Sequence, residues 1–501
     1  MFFLFSCSSE KKESEGKQLA KTYCGACHIF PDASLLNKDA WLSKVLPAMS
    51  RNLGINTYNG EYYPDLHHSI DSNNNIQIQQ SGISIADWHK IVDYYKDEAP
   101  DSVPKQNREP ISKFTTQFTT HELPLETGGL VATSYIKIDP ANHWIYAANA
   151  FDSSLNVYDK SLTKISSTNV HGVIVDAGFN TSLQQPGARN GIFTNIGIMN
   201  PNDLTTGTMD TFSITSNGSL NYMHKILDSM PRPVQTTTTD FDKDGLPDYL
   251  VCGFGNKKGA LYWMKNKGNG KFEKKIIRAL PGAIKAYIDD YNHDGLPDVM
   301  VLMAQAQEGI FLFLNKGNGE FDTKEILRFP PVYGSSYFEL DDFNNDGYKD
   351  IIYTCGDNAD YTAGILKNFH GVYIFLNDGK NNFSQKYFFP INGCYKAIAK
   401  DFDKDGDLDI ATISFFPDRK NQPQEGFVYL ENKGNYNFEA SSIHEFSEGS
   451  WLTMDAADID GDGDDDIVIG SLVPPIPASM QQAKAQKNKK AVLLLLENKA
   501  K

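Results

Sequence analysis

One nine-residue pattern occurs five times between residues 240 and 466, and it limits the possible folds of this 501-residue chain more than any other feature. Asp240-Phe-Asp242-Lys-Asp244-Gly-Leu-Pro-Asp248 returns as Asp290-Tyr-Asn292-His-Asp294-Gly-Leu-Pro-Asp298 and as Asp342-Phe-Asn344-Asn-Asp346-Gly-Tyr-Lys-Asp350. Two further copies are Asp401-Phe-Asp403-Lys-Asp405-Gly-Asp-Leu-Asp409 and Asp458-Ile-Asp460-Gly-Asp462-Gly-Asp-Asp-Asp466. Their starts lie 50, 52, 59 and 57 residues apart, the spacing of an array in which each copy belongs to one structural unit. Oxygen-bearing side chains at positions 1, 3, 5 and 9, with Gly at 6 for a sharp turn, suit a hard cation that takes six or seven oxygens, and calcium is the natural occupant. Those positions hold 18 carboxylates, and five bound calcium ions would bring the formal charge from −16 to about −6. The loops read as structural pins for turns, and nothing in them supplies a catalytic base.

The pattern opens like an EF-hand loop, which needs a bidentate Glu at position 12 and a helix on each side. Here position 12 is Val251, Val301, Tyr353, Thr412 or Ile469. The residues after position 9 are apolar and β-prone, as in Val299-Met-Val-Leu302 and Ile351-Ile-Tyr-Thr354, and a second such run follows in each unit, as in Gly309-Ile-Phe-Leu-Phe-Leu-Asn315. These are loops between strands. Together with Phe254-Gly-Asn256 and the recurrent Asn-Lys-Gly-Asn turns, they resemble the FG-GAP/VCBS repeats of integrin α-type β-propellers. The resemblance implies a mainly β chain with a propeller over residues 112–501, one four-stranded blade per unit. Tyr135–Tyr146 and Thr194–Asp203 read as two worn units without ligands, which makes seven blades. The last unit stops after Ala491-Val-Leu-Leu-Leu-Leu-Glu-Asn498, one strand short, and Lys113–His121 resembles the missing strand, so the N-terminal strand is expected to close the ring. Residues 101–111 read as a linker.

Upstream, Cys24-Gly-Ala-Cys27-His28 resembles the attachment site of c-type cytochromes. Two thiols at this spacing can each add to one vinyl group of a haem, and the adjacent imidazole can then ligate the iron. No second cysteine pair completes a zinc cage. Ser14–Cys27 can form a first helix, and Trp88, Ile91, Val92 and Tyr95 recur at i, i+3, i+4 and i+7 behind a Ser84 cap as a last one. The resemblance implies a small all-α cytochrome c domain over residues 15–100 with one covalent haem. Its distal ligand would be Met49, two residues after Pro47, with His67 and His68 as the alternatives. Met1-Phe-Phe-Leu-Phe-Ser-Cys7 followed by a polar tract resembles a bacterial lipobox, which implies lipidation of Cys7 and an anchor and tether over residues 1–14. Haem is attached covalently outside the cytoplasm, so the two motifs agree on export.

The balance of 47 basic against 63 acidic residues argues against nucleic acid as a partner. Cys252, Cys355 and Cys394 fall in or beside blade strands, where buried free thiols are the default and a Cys355–Cys394 bridge is the alternative. A lipoprotein cytochrome fused to an FG-GAP propeller resembles proteins of Gram-negative bacteria, which implies a periplasmic or outer-membrane-anchored location. The expected function is electron transfer with a redox partner protein or mediator, the calcium-bound propeller presenting a face for a protein or glycan. The alternative is an enzyme, a propeller dehydrogenase oxidising a sugar or alcohol and passing electrons to its own haem.

Overall fold

The computed structural model describes residues 13–55, 57–58, 61–62, 82–125, 130–181, 189–255, 257–305, 307–357, 365–473 and 491–500. Cys7, His67 and His68 lie outside them. The chain divides into two compact units, one of Met1–Lys105 with Pro330–Val332, the other of Gln106–Phe329 with Tyr333–Lys501.

In the larger unit, each apolar run after an Asp loop is a strand buried along its whole length, as in Asp298–Met303 and Asp409–Ser414. Such runs lack polar alternation because neighbouring sheets cover both of their faces, whereas outer strands such as Phe272–Arg278 are half-buried or exposed along their whole length. Among the described residues the strands of this unit form seven four-stranded antiparallel blades, the first and last of them joined where Leu472 pairs with Ala132. Blade 1 spans Val131 to Asn169, blade 2 Ile174 to Met230, blade 3 Pro233 to Arg278, blade 4 Ala283 to Arg328, blade 5 Ser335 to Pro390 and blade 6 Cys394 to Ser441. Blade 7 combines Trp451–Ala457, Asp466–Val473 and Ala491–Asn498 with Phe118–Pro124. The first strands of successive blades lie side by side around the whole circuit, which makes the unit a β-propeller. Thr194–Asp203 is not a strand-turn-strand unit by itself: it ends the second strand of blade 2 at Asn195 and continues as a loop.

The chain ends meet in blade 7, where Phe118 pairs with Asn498, Thr120 with Leu496 and Leu123 with Leu493. The closing strand starts later than Lys113, because Ser442 of blade 6 holds residues 113–115: Thr115 N–H donates to the Ser442 carbonyl and Ser442 N–H to that of Lys113. Within the segment expected to be a linker, Gln106 Nε2 donates to the His370 carbonyl at 2.9 Å and Arg108 Nε to that of Pro390 at 2.7 Å. The Arg108 guanidinium is also buried against Glu425, and Ile111 joins the core between blades 5 and 6. From Gln106 onward this segment is part of the propeller.

Cys252, Cys355 and Cys394 are buried and unbridged. Burial pushes the thiols of Cys252 and Cys394 up to about 12 and raises Cys355 as well. In the native protein these three are expected to resist a thiol-specific reagent such as Ellman's and to react together on unfolding; rapid native labelling of any of them would contradict the packing.

In the smaller unit the first helix runs Glu15–Cys24 behind a Ser14 cap and stops at Gly25, and the last runs Ile85–Glu98 behind Ser84. They cross at Gly16, where a Cβ would lie 2.2 Å from the Lys90 carbonyl oxygen, so only glycine permits this approach. Trp88, Ile91, Val92 and Tyr95 are buried as their spacing predicts. A central helical stretch, Lys38 to Asn52, widens to a π-turn over Trp41–Val45, just before Pro47, whose missing N–H cannot close a regular turn. The unit is not all-α, since Thr57–Tyr58 pairs with Glu61–Tyr62.

Candidate metal and haem sites

Each Asp loop joins the first and second strands of blades 3 to 7, and the residue before position 1 pairs with position 9, as Thr239 with Asp248 and Lys400 with Asp409. The position-1 carboxylate then caps the turn. Asp240 accepts from the N–H groups of Asp244 and Gly245 at 3.1 and 2.9 Å, and Asp290 and Asp342 repeat this pair. Asp401 and Asp458 hold Gly406 and Gly463 in the same way. The glycines at position 6 have φ of 84° to 96°, and position 4 is left-handed too: Lys243, His293, Asn345, Lys404 and Gly461 have φ of 55° to 84°. Sequence reasoning found the first requirement and missed the second, whose signal was the turn-prone Asn and Gly among the five residues.

Position 9 ties the loop to the third strand of its blade. Asp248, Asp298, Asp350, Asp409 and Asp466 are fully buried, and one oxygen of each accepts the backbone N–H of an asparagine at the end of the third strand. Those asparagines are Asn266, Asn315, Asn377, Asn432 and Asn498, at 2.7 to 2.8 Å. Each asparagine side chain donates back to the carbonyl of loop position 8. The second oxygen of position 9 takes the N–H of position 2 in four loops. In blade 3 it also takes the Trp263 indole N–H, and in blade 6 the Tyr429 hydroxyl at 2.6 Å. This five-fold Asp–Asn clamp was legible only as a recurrent Asn before each turn.

The oxygen donors converge where a cation would sit. One ligand atom from each of Asp240, Asp242 and Asp248 lies within 4.8 Å of the others, and the same holds for Asp401, Asp403 and Asp405 and for Asp458, Asp460 and Asp466. In the two Asn-bearing loops the amides of Asn292 and Asn344 instead donate to Asp294 and Asp346 at 2.9 Å. Asp401 Oδ1 is buried without a hydrogen-bond partner, as expected of an oxygen that faces an ion. Burial first, and then the neighbouring carboxylates, push Asp403 and Asp466 up to about 6 and Asp409 up to about 7. Clustered acids with raised pKa and unused oxygens fit a dication, which would relieve both costs. Loop 1 differs, because the Lys265 ammonium pairs with Asp242 and lies 3.6 Å from Asp244.

At the end of the first helix, the N–H groups of Cys27 and His28 both donate to the Cys24 carbonyl, so the pentapeptide is one continuous turn. Cys24 is buried and Cys27 exposed. His28 is buried, and its Nδ1–H donates to the Ile29 carbonyl at 2.9 Å, which leaves the lone pair of the neutral ring on Nε2. Met49 is half-buried on the helix Leu46–Asn52.

A third polar group escaped the sequence reading. The first strands, which line the propeller axis, carry Lys137, Asp176, Lys285, Glu339, Lys396 and Asp455 in six of the blades. The acids stitch three pairs of neighbouring blades: Asp176 accepts from Thr236 N–H at 3.0 Å, Glu339 from Ala399 N–H at 3.2 Å and Asp455 from Ile138 N–H at 2.8 Å. Lys396 donates to the Met454 carbonyl at 2.6 Å, and burial pushes its ammonium down to about 8. The Tyr135 hydroxyl, which feels the charges of Asp176 and Asp455, is buried with no hydrogen-bond partner. The available signal was a polar residue at alternate positions of strands that ought to be apolar on both faces.

The FG-GAP-like repeat family matches residues 240–301 and 290–353, which contain the first three loops and the strands between them. Among solved structures, an ancestral GH74 enzyme is similar at 10% identity and a TM-score of 0.45, over 78% of this chain and 52% of its own. The Pan2 WD40 domain of Neurospora crassa is similar at 10% identity and a TM-score of 0.44, over 72% of this chain and 94% of its own. A luciferin-regenerating enzyme is similar at 10% identity and a TM-score of 0.33, over 76% and 98%. No curated protein sequence matches the chain. Among the described residues, no helix is long and apolar enough to cross a membrane.

Proposed function

We propose that this chain, a β-propeller with FG-GAP-like repeats, is an exported electron carrier: a c-type cytochrome whose calcium-pinned propeller is a scaffold for a partner protein or glycan. The observation that carries the reading is the single turn Cys24-Gly-Ala-Cys27-His28, which presents two thiols three residues apart and an imidazole next to them. Cys24 and Cys27 would hold the haem by thioether bonds, His28 Nε2 would ligate its iron, and Met49 is the expected distal ligand. When bound, the haem would supply one-electron transfer. The chain's own part is to orient the imidazole, through the hydrogen bond to the Ile29 carbonyl. Lipidation at Cys7 would anchor the protein to a membrane and agrees with export, where haem attachment takes place. The propeller's metal-facing carboxylates are committed to turns, which supports a binding role for its loops.

Haem attached at these cysteines is expected to survive acid-acetone extraction and to be lost from Cys24→Ser and Cys27→Ser variants. The ferric protein should show the weak far-red sulfur-to-iron band, absent from Met49→Ala. An unchanged spectrum in that variant would pass the distal role to His67 or His68. Cys7→Ala should release the protein from membranes. Absence of covalent haem from protein matured in a cytochrome-competent host would defeat the electron-carrier reading.

A propeller dehydrogenase is the second reading, and the axial cluster of lysines, acids and the Tyr135 hydroxyl favours it as the place where a substrate could be held. It predicts haem reduction by a sugar or alcohol in the pure protein, lost in Lys396→Met with the haem spectrum unchanged. The electron-carrier reading predicts reduction by small redox mediators alone.

A further inference from the structure

The five loops differ in a residue that lies outside them. The clamp asparagines occupy one equivalent register, so the residues just before them are equivalent too: Lys265, Leu314, Leu376, Glu431 and Glu497 in blades 3 to 7. In blade 3 the Lys265 side chain is 16% exposed, and its ammonium pairs with Asp242 and stands 3.6 Å from Asp244. Among the described ion pairs, no other lysine or arginine engages a carboxylate at position 1, 3, 5 or 9 of a loop. In blade 6 the equivalent Glu431 instead adds negative charge beside Asp403.

We propose that Lys265 is the resident cation of loop 1, and that this loop takes no calcium under conditions that fill the other four. An ammonium is a compact point charge with three donors, and between two carboxylates it supplies the neutralisation that a metal supplies elsewhere. A dication entering the loop would need the oxygens that Lys265 holds and would meet a like charge within a few ångströms. Loop 1 nevertheless keeps all four carboxylates, one more than the loops at 290 and 342, and Asp242 Oδ1 is buried without a partner. It is a complete site closed by one side chain.

The inference rests on the calcium reading of the loops, and equilibrium dialysis of the full-length protein against calcium separates the two. Wild type should bind no more than four calcium ions per chain. Lys265→Leu, which installs the residue of blades 4 and 5, should bind one more than wild type, and Lys265→Leu with Asp240→Asn should lose it again. The converse variant Leu314→Lys should bind one fewer than wild type, and it tests the same competition should Lys265→Leu fail to fold. Five ions in wild type, or equal counts in wild type and Lys265→Leu, would overturn the inference. Binding of no calcium by wild type would instead overturn the calcium reading beneath it.

Discussion

Chelation of calcium is expected to lower the melting temperature of the propeller more than any single substitution. An ion that binds only the folded loop adds RT ln(1 + [L]/Kd), about 2.7 kcal/mol per site at a hundredfold excess over Kd, so four filled loops contribute about 11 kcal/mol. That is the size of the whole stability of a typical domain. The effect should depend on pH with a definite sign. In metal-free protein, burial and mutual repulsion raise Asp403 and Asp466 to about 6 and Asp409 to about 7. A raised carboxyl contributes stability that is fully present below its unfolded pKa, near 3.9, and is lost as pH rises through the folded value. Melting in EGTA should therefore fall between pH 5 and pH 7.5. Calcium needs the deprotonated carboxylates, so the gap between calcium and EGTA should widen over the same range. Calorimetric scans at both pH values check this, and a gap that is nil or independent of pH would remove metal from the loops.

Asp409→Ala is expected to cost about 3–5 kcal/mol even without calcium, because it strands buried donors as well as deleting a charge. Asp409 accepts from the Asn432 N–H at 2.7 Å and from the Tyr429 hydroxyl at 2.6 Å, and none of the three groups can reach water without opening the blade. Asn432→Ala, which keeps that backbone donor and loses the side-chain bonds to the Leu408 carbonyl at 3.2 Å and from the Gly434 N–H at 3.1 Å, should cost about 1–2 kcal/mol. Urea titrations in EGTA, followed by tryptophan fluorescence, give both numbers. Equal losses in the two variants would mean that the carboxylate serves the metal alone and does not clamp the strands.

Local pattern was enough for much of this molecule. The five loops, the strands after them and the capped helices behind Ser14 and Ser84 were legible because each depends on residues within one turn or one strand of each other. Ring closure was legible too, since a last unit ending at Asn498 lacked a strand and residues near 118 could supply one. The start of that strand was not, because Ser442 decides it, and no property of residues 113–115 names Ser442 as their partner. The same limit hid the docking of Gln106 on His370, 264 residues away, and the pairing of Asp455 with Lys137 at the axis, 318 residues apart in sequence. It also hid the role of Lys265, whose strand position looks ordinary until the sheet brings it against Asp242. Sequence by itself determined which segments become strands, helices and Asp-rich loops, because backbone preference and hydrophobic period are local. Only the tertiary structure decided which buried charge meets which, because a carboxylate is satisfied by whatever donor the closed ring places against it, and ring closure joins residues from opposite ends of the chain.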